Sequence, residues 1–382
     1  MTEDLPPNPA LLPAGLRDLL PPDAETEAAS VEALMTVFAT FGYQRVKPPL
    51  LEFEDSLLAG SGAAVAEQTF RLMDPDSQRM MGLRADTTPQ VARIATTRLA
   101  GAPRPLRLSY AGQCLRVRGN QLAPDRQVSQ AGIELIGHDS PEADAETVLV
   151  AAEAVAAVGV TRASFDLTLP MLVPSLLDDA GLTGNGRIML ARALDRKDAA
   201  AVARHAGALA PVLTGLLMAA GPADRALAAL ESAKLPNTAG ALADRVALTV
   251  AAIRSRAPDL RLTVDPVEFR GFRYETGVSV TVYAPGRHEE LGRGGRYICG
   301  DAEPATGLTL YPDAILRVAE PRQPRPRVYV PFGGDPAAAA KLRAEGHATV
   351  AGLAPTADDA AEAARLGCAS ILLDGRLEPL PG

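Results

Sequence analysis

Hydrophobic and polar positions along this chain change period several times, and each change predicts an element. Val31, Leu34, Met35 and Phe38 fall at i, i+3, i+4 and i+7, the spacing of an amphipathic helix, which Gly42 in Phe41-Gly42-Tyr43 ends. Leu50-Leu51-Glu52 follows Pro48-Pro49 and reads as a short extended segment. Met80 to Leu83 predicts a strand. Asp86-Thr87-Thr88-Pro89 then predicts a capped helix through Ala95, because Asp and Thr oxygens accept orphan N–H groups and Pro suits the first turn. Leu106, Leu108 and Tyr110 alternate with Arg107 and Ser109, a half-buried strand that continues through Cys114 and Arg116. A polar loop, Arg118 to Asp125, leads to a second strand from Gln127 to Ile136. Two long strands joined by a polar loop predict an antiparallel hairpin, with Gln130, Gly132 and Glu134 on one face. Ser140-Pro141-Glu142 opens a helix striped by Ala145, Val148, Leu149, Ala152 and Val155.

Residues 185–257 are rich in alanine and leucine at helical spacing and predict an all-helical insertion. Pro174 to Ala180 reads as a short helix ended by Gly181. After Pro258 the strand pattern returns: Val278, Val280 and Val282 alternate with Ser279, Thr281 and Tyr283, a strand with one dry face. Gly292 to Tyr297 reads as a glycine-rich turn between strands, and Thr306 to Val318 as a strand-to-helix passage. Pro321-Arg322-Gln323-Pro324-Arg325-Pro326 is a stiff linker. Beyond it, Val328–Val330, Pro336–Glu345, Ala348–Ala351, Asp358–Leu366 and Ile371–Leu373 predict a small β-α-β-α-β unit. The expected organisation is a core of residues 1–320, a linker of 321–326 and a small α/β domain of 327–382.

Composition narrows the chemistry. The 382 residues carry 38 basic and 46 acidic side chains, a net charge of −8, and no Trp. Aromatics are 4% of the chain, which argues against base-stacking platforms for nucleic acid. Cys114, Cys299 and Cys368 form no CxxC pair, and His138, His205, His288 and His347 form no HExxH. We therefore expect reduced thiols, no metal and no cofactor. The acidic, proline-rich start lacks the basic and apolar parts of a signal peptide, and no stretch approaches the ~20 apolar residues of a membrane span. A cytoplasmic protein without membrane contact is expected. Arg116 can fork onto a carboxylate or phosphate, while Gln130 and Glu134 can meet an ammonium or a ring nitrogen. Arg270 to Gly277, with two glycines bracketing an Arg, a Tyr and a Glu, reads either as a ligand loop or as an ordinary strand entry.

In order and spacing, the segments from Pro13 to about residue 320 resemble the catalytic core of histidyl-tRNA synthetase, a class II synthetase. Phe41-Gly42-Tyr43 with Pro49-Leu50-Leu51-Glu52 resembles motif 1, and Leu115-Arg116 through Arg126 to Glu134 resembles motif 2. Leu83-Arg84-Ala85-Asp86-Thr87-Thr88 is similar to the family's LRPE-containing segment. Arg270-Gly271 with Tyr274, and Gly294-Gly295-Arg296-Tyr297, resemble the two histidine-specific motifs. The implied fold is α+β: a class II synthetase-like antiparallel sheet with helices, a helical insertion and a small C-terminal α/β domain. Two positions depart from an activating synthetase. Arg118 stands where an ATP-supporting acid is expected, and Pro312-Asp313-Ala314 where the motif 3 arginine should fall.

A synthetase core without its ATP apparatus resembles the regulatory subunits of ATP phosphoribosyltransferase. Membership there implies a non-catalytic, histidine-sensing homodimer that pairs with a short catalytic subunit in the first step of histidine biosynthesis and binds no tRNA. By resemblance, Asp86, Thr88, Arg116, Gln130, Glu134, Arg270 and Tyr274 match histidine-pocket positions. Asp86 replaces a longer Glu, and Glu275 stands where a tyrosine is usual. Either the pocket reads its ligand differently, or histidine binds at the subunit interface. An active histidyl-tRNA synthetase and a synthetase-like binding module with another partner are the competing readings.

Overall fold

In a computed structural model the described residues are 10–119, 124–268, 275–285, 290–319 and 324–380. The chain forms two compact units, Met1–Glu320 and Pro321–Gly382. The first unit is built on a nine-stranded sheet in the order Gln44–Arg45, Leu106–Leu115, Gln127–Ile136, Glu303–Leu310, Glu290–Cys299, Glu275–Tyr283, Ser164–Thr168, Arg261–Asp265 and Gly221–Pro222. The central strands are antiparallel. The Gln44–Arg45 edge pairs parallel with Leu106–Leu115, and Ser164–Thr168 pairs parallel with Arg261–Asp265, so the sheet is mixed towards its margins. The hairpin of Leu106–Leu115 and Gln127–Ile136 is paired from end to end, as its alternation requires.

Helices cover one face of this sheet. Asp23–Thr40 inserts Leu34, Met35 and Phe38, and Pro141–Ala157 inserts Val148 and Val155, against Ile133, Phe165 and Leu167. Fully burying one such Leu or Phe is worth about 1.5–3 kcal/mol. Val31, the first residue of the predicted stripe, is only partly buried. Ser140 caps Pro141–Ala157 by accepting the Ala143 N–H at 3.2 Å. Between 184 and 254 the chain is a run of helices joined by short turns, interrupted only by the two-residue strand Gly221–Pro222. Leu172–Asp179 is a helix followed by Gly181 at φ +64°, a left-handed position that glycine adopts without strain.

The other face carries the short helix Thr88–Thr96, whose Val91, Ala92 and Ala95 pack on Leu108, Tyr110, Tyr297 and Ala305. A small sheet of Leu51–Phe53, Met80–Leu83 and Arg71–Met73 precedes it. Two expectations change on this face. Gly292 to Tyr297 is not a turn but the interior of strand Glu290–Cys299. A Cβ at Gly294 would enter the backbone of Gly307, and one at Gly295 would lie 2.8 Å from Ser279 Oγ; glycine is there for close approach, not for bending. The valine strand also has no wet face, since Ser279 and Thr281 are 5% and 7% exposed. They border the site described below.

In the second unit, Arg327–Val330 lies between Ala348–Ala351 and Ser370–Leu373, both parallel to it. Helices Pro336–Ala344 and Asp359–Arg365 are capped by Asp335 and Asp358. An additional strand, Arg376–Pro379, pairs antiparallel with Ser370–Leu373.

Candidate functional site

Register alone gathers the site. Directly paired residues of antiparallel strands share a face. One row reads Tyr110, Gly132, Thr309, Arg293 and Thr281 across five strands, and the next reads Glu134, Gly307, Gly295 and Ser279. A third row brings Ala305, Tyr297 and Glu275 together. The result is a small cavity walled by Thr88, Glu134, Glu275, Arg293, Tyr297 and Thr309 over Gly294, Gly295 and Gly307.

The glycines of this face let long side chains lie flat upon it. A Cβ at Gly307 would overlap Glu134 Oε2, one at Gly132 would sit 2.5 Å from the Tyr110 hydroxyl, and one at Gly112 would strike the Arg84 guanidinium. Glu134, 1% exposed, is thereby held at the centre. Its Oε1 accepts from Thr88 Oγ1 at 3.0 Å, and its Oε2 accepts from the Tyr297 hydroxyl at 2.9 Å. Burial pushes the Glu134 carboxyl up to about 8, and the Asp86 charge adds to the rise, against the pull of the Tyr297, Thr88 and Tyr110 hydroxyls. Near neutral pH the group is mostly protonated, and a ligand cation would drive the proton off. Burial, followed by the charges of Glu134 and Asp86, holds Tyr110 well above the usual phenol range, so its hydroxyl stays a neutral donor or acceptor beside Thr309 Oγ1 at 2.7 Å.

Asp86 and Gln130 form the layer behind. Asp86 Oδ1 accepts the Thr88 N–H at 3.2 Å and the Gln130 amide at 3.3 Å, while Gln130 Oε1 accepts the Thr87 N–H at 3.0 Å. Asp86 thus caps helix Thr88–Thr96, and Thr87, at the cap position, makes no side-chain cap bond. The Thr87 hydroxyl instead meets Cys114 Sγ at 3.3 Å. The Cys114 thiol, pushed up to about 12 by burial, donates to Gln130 and is a poor nucleophile. All three cysteines are free and buried.

Of the residues singled out in the sequence, Thr88 and Glu134 line the cavity, while Asp86 and Gln130 brace it from behind. Arg116 is half-buried beyond the end of its strand and does not line the cavity. Arg270 and Tyr274 lie outside the described residues. Arg293 and Thr309 are not among the candidate site residues of the sequence; Tyr297 enters there only within a motif, and Glu275 only within the possible ligand loop and as a departure. The signal that would have pointed to them is glycine inside strands: Gly132 lies opposite Thr309, and Gly294 and Gly295 sit between Arg293 and Tyr297. Arg296, in the same Gly-Gly-Arg-Tyr run, faces the other way. Its Nε donates to Asp144 Oδ1 at 2.9 Å, and its guanidinium also donates to the carbonyls of His138 and Ser140.

Behind the hairpin, at the start of helix Pro312–Leu316, the Asp313 carboxylate accepts the Ser129 N–H at 2.5 Å, and Ala314 is buried. Arg118 is exposed. Among the described residues, no group of three or more His, Cys, Asp or Glu could hold a metal ion, and no helix is long and apolar enough to cross a membrane.

This sheet, with its site on one face, is that of class II synthetases. Residues 15–315 match the family model described as histidyl-tRNA synthetase. The fold is shared with an ATP phosphoribosyltransferase regulatory subunit/histidyl-tRNA synthetase from Bacillus halodurans (TM-score 0.78, 23% identity, 93% of this chain and 96% of that one). It is shared too with histidyl-tRNA synthetase from Nostoc sp. (TM-score 0.77, 16% identity, 95% and 91%). Closer in sequence is the ATP phosphoribosyltransferase regulatory subunit of Paramagnetospirillum magneticum, 56% identical over 96% of this chain and 97% of the relative. That of Rhodospirillum centenum is 53% identical over 100% and 99%. The chain belongs to the family of ATP phosphoribosyltransferase regulatory subunits.

Proposed function

We infer that this chain is the non-catalytic regulatory subunit of an ATP phosphoribosyltransferase, required for activity and for histidine feedback on the first step of histidine biosynthesis. Beside the family membership, the observation that carries this reading is the place of Asp313 and Ala314. An activating synthetase needs a cation there to meet the triphosphate. Here an anion is tied to the Ser129 N–H and a methyl group is packed in the core. One preorganised group that meets developing charge is worth about 3–4 kcal/mol.

The partner is a short catalytic subunit, and the effector is histidine, held by Thr88 and Glu134 with Asp86 and Gln130 behind them, and with Arg116, Arg270 and Tyr274 assigned by resemblance alone. The core of 1–320 with its insertion at about 185–257 acts as an allosteric homodimer in the cytoplasm, without tRNA. The linker of 321–326 carries a shortened anticodon-binding-like domain. Co-purification with the catalytic subunit, followed by assay with and without this chain, tests the reading. Activity should appear only in the complex and fall on adding histidine. Histidine-driven ATP–pyrophosphate exchange at synthetase rates by this chain alone would overturn it.

A further inference from the structure

Histidine is a zwitterion, and a pocket for it must answer one negative and at least one positive group. The acidic side is plain: Glu134 and Glu275 line the cavity, with Asp86 just behind. Among the described residues, the cationic side of the cavity narrows to one arginine. The Arg84 guanidinium is committed to the Gln113 and Pro48 carbonyls. Arg296 points through the sheet to Asp144, and Arg116 does not line the cavity. Arg293 does line it, opposite Thr309 and Thr281 on the face that carries Glu134.

The rim of the cavity aims this arginine. The pairing of Glu290–Cys299 with Glu275–Tyr283 shifts register between Val282 and Tyr283. Such a bulge re-aims nearby side chains, and Glu290, three residues back, accepts from Arg293 Nη2 at 2.9 Å. The Arg293 side chain is 28% exposed, sheltered enough for its charge to count and open enough to be reached. A guanidinium fork matches a carboxylate in shape as well as in sign.

We propose that Arg293 is a specificity-determining residue of the effector pocket, its guanidinium taking the α-carboxylate of histidine so that the pocket rejects analogues without that group. The assignment rests on the histidine-pocket reading above. It is tested by calorimetric titration of the full chain, alone and with its catalytic subunit, with L-histidine and with L-histidinol, in which an alcohol replaces the carboxylate. Wild type should prefer histidine by about tenfold or more. Arg293→Gln should close the gap to about twofold by weakening histidine while leaving histidinol unchanged or tighter. Arg293→Lys, which keeps the charge without the fork, should fall between, and it carries the test should Arg293→Gln not fold. A gap that survives in Arg293→Gln, or a wild type that binds both ligands equally, overturns the role of Arg293 alone. A wild type that binds neither ligand overturns the histidine pocket itself.

Discussion

Glu134 is a carboxyl group placed where ionisation is costly. Its value of about 8 lies above the ordinary 4.5, so between those pH values the folded chain keeps a proton that the unfolded chain releases. The stability this gives is fully present below about pH 4.5 and is lost as pH rises through about 8. Glu134→Gln removes the dependence. In denaturant titrations from about pH 5 to about pH 9, the variant should gain on wild type by on the order of a few kcal/mol; parallel profiles would show that Glu134 is not buried as a neutral acid. Gly307→Ala attacks the same residue from below. Three hydroxyls hold Glu134, so it cannot swing clear of a new methyl group. The variant should lose about 1–3 kcal/mol of stability and most of its histidine affinity, read by thermal melting and calorimetry. At this scale the sequence was half legible. Alternation placed Gln130, Gly132 and Glu134 on one face, but it said nothing of which face is concave. Strand pairing alone brings Tyr297 to Glu134 and Arg293 to Thr309.

Elements were read well where a local rule decided them. The Leu106–Tyr110 alternation, the Ser140 cap and the stripe through Phe38 each follow from nearest-neighbour geometry. They failed where tertiary contact overrode the local signal: Gly292 to Gly295 reads as a turn, yet neighbouring backbone and Ser279 demand glycine inside a strand. One available signal was missed. Asp374 and Gly375 are both left-handed, at φ +46° and +74°, the Asp-Gly pair that closes a tight hairpin, and strand Arg376–Pro379 follows it. Elements of the large unit are also tied by charge. Asp144, on helix Pro141–Ala157, accepts from Arg296 of the sheet and, at 2.7 Å, from Arg245 of helix Asn237–Arg254. Its side chain is 3% exposed, so Asp144→Ala leaves two sheltered guanidinium groups without their shared partner. A loss of about 3–5 kcal/mol is expected, visible as a fall in the urea midpoint; a loss within the range of surface pairs would mean that the more exposed Asp139, which also pairs with Arg245 and Arg296 at 2.7 and 3.2 Å, and the His138 and Ser140 carbonyls suffice.

For the whole molecule, the quaternary prediction is a two-fold homodimer, the commonest closed assembly. Leu50, in the segment that resembles motif 1, is exposed, as are Leu11, Leu12 and Leu20 ahead of helix Asp23–Thr40. Sedimentation at micromolar concentration should give twice the 39.8 kDa chain mass, and a monomer there would exclude the assembly. Fold class was legible over the whole chain because the motifs are ordered along it. The cavity wall was not, because its members come from strands far apart in sequence. The glycine floor also has a genetic side. Any single-base change in a glycine codon that alters the residue either ends the chain or adds a side chain. Gly112, Gly132, Gly295 and Gly307 therefore have no mild neighbours in mutational space. Strains selected to escape histidine control should return these four codons more often than those of the pocket wall, where a conservative exchange is one base away.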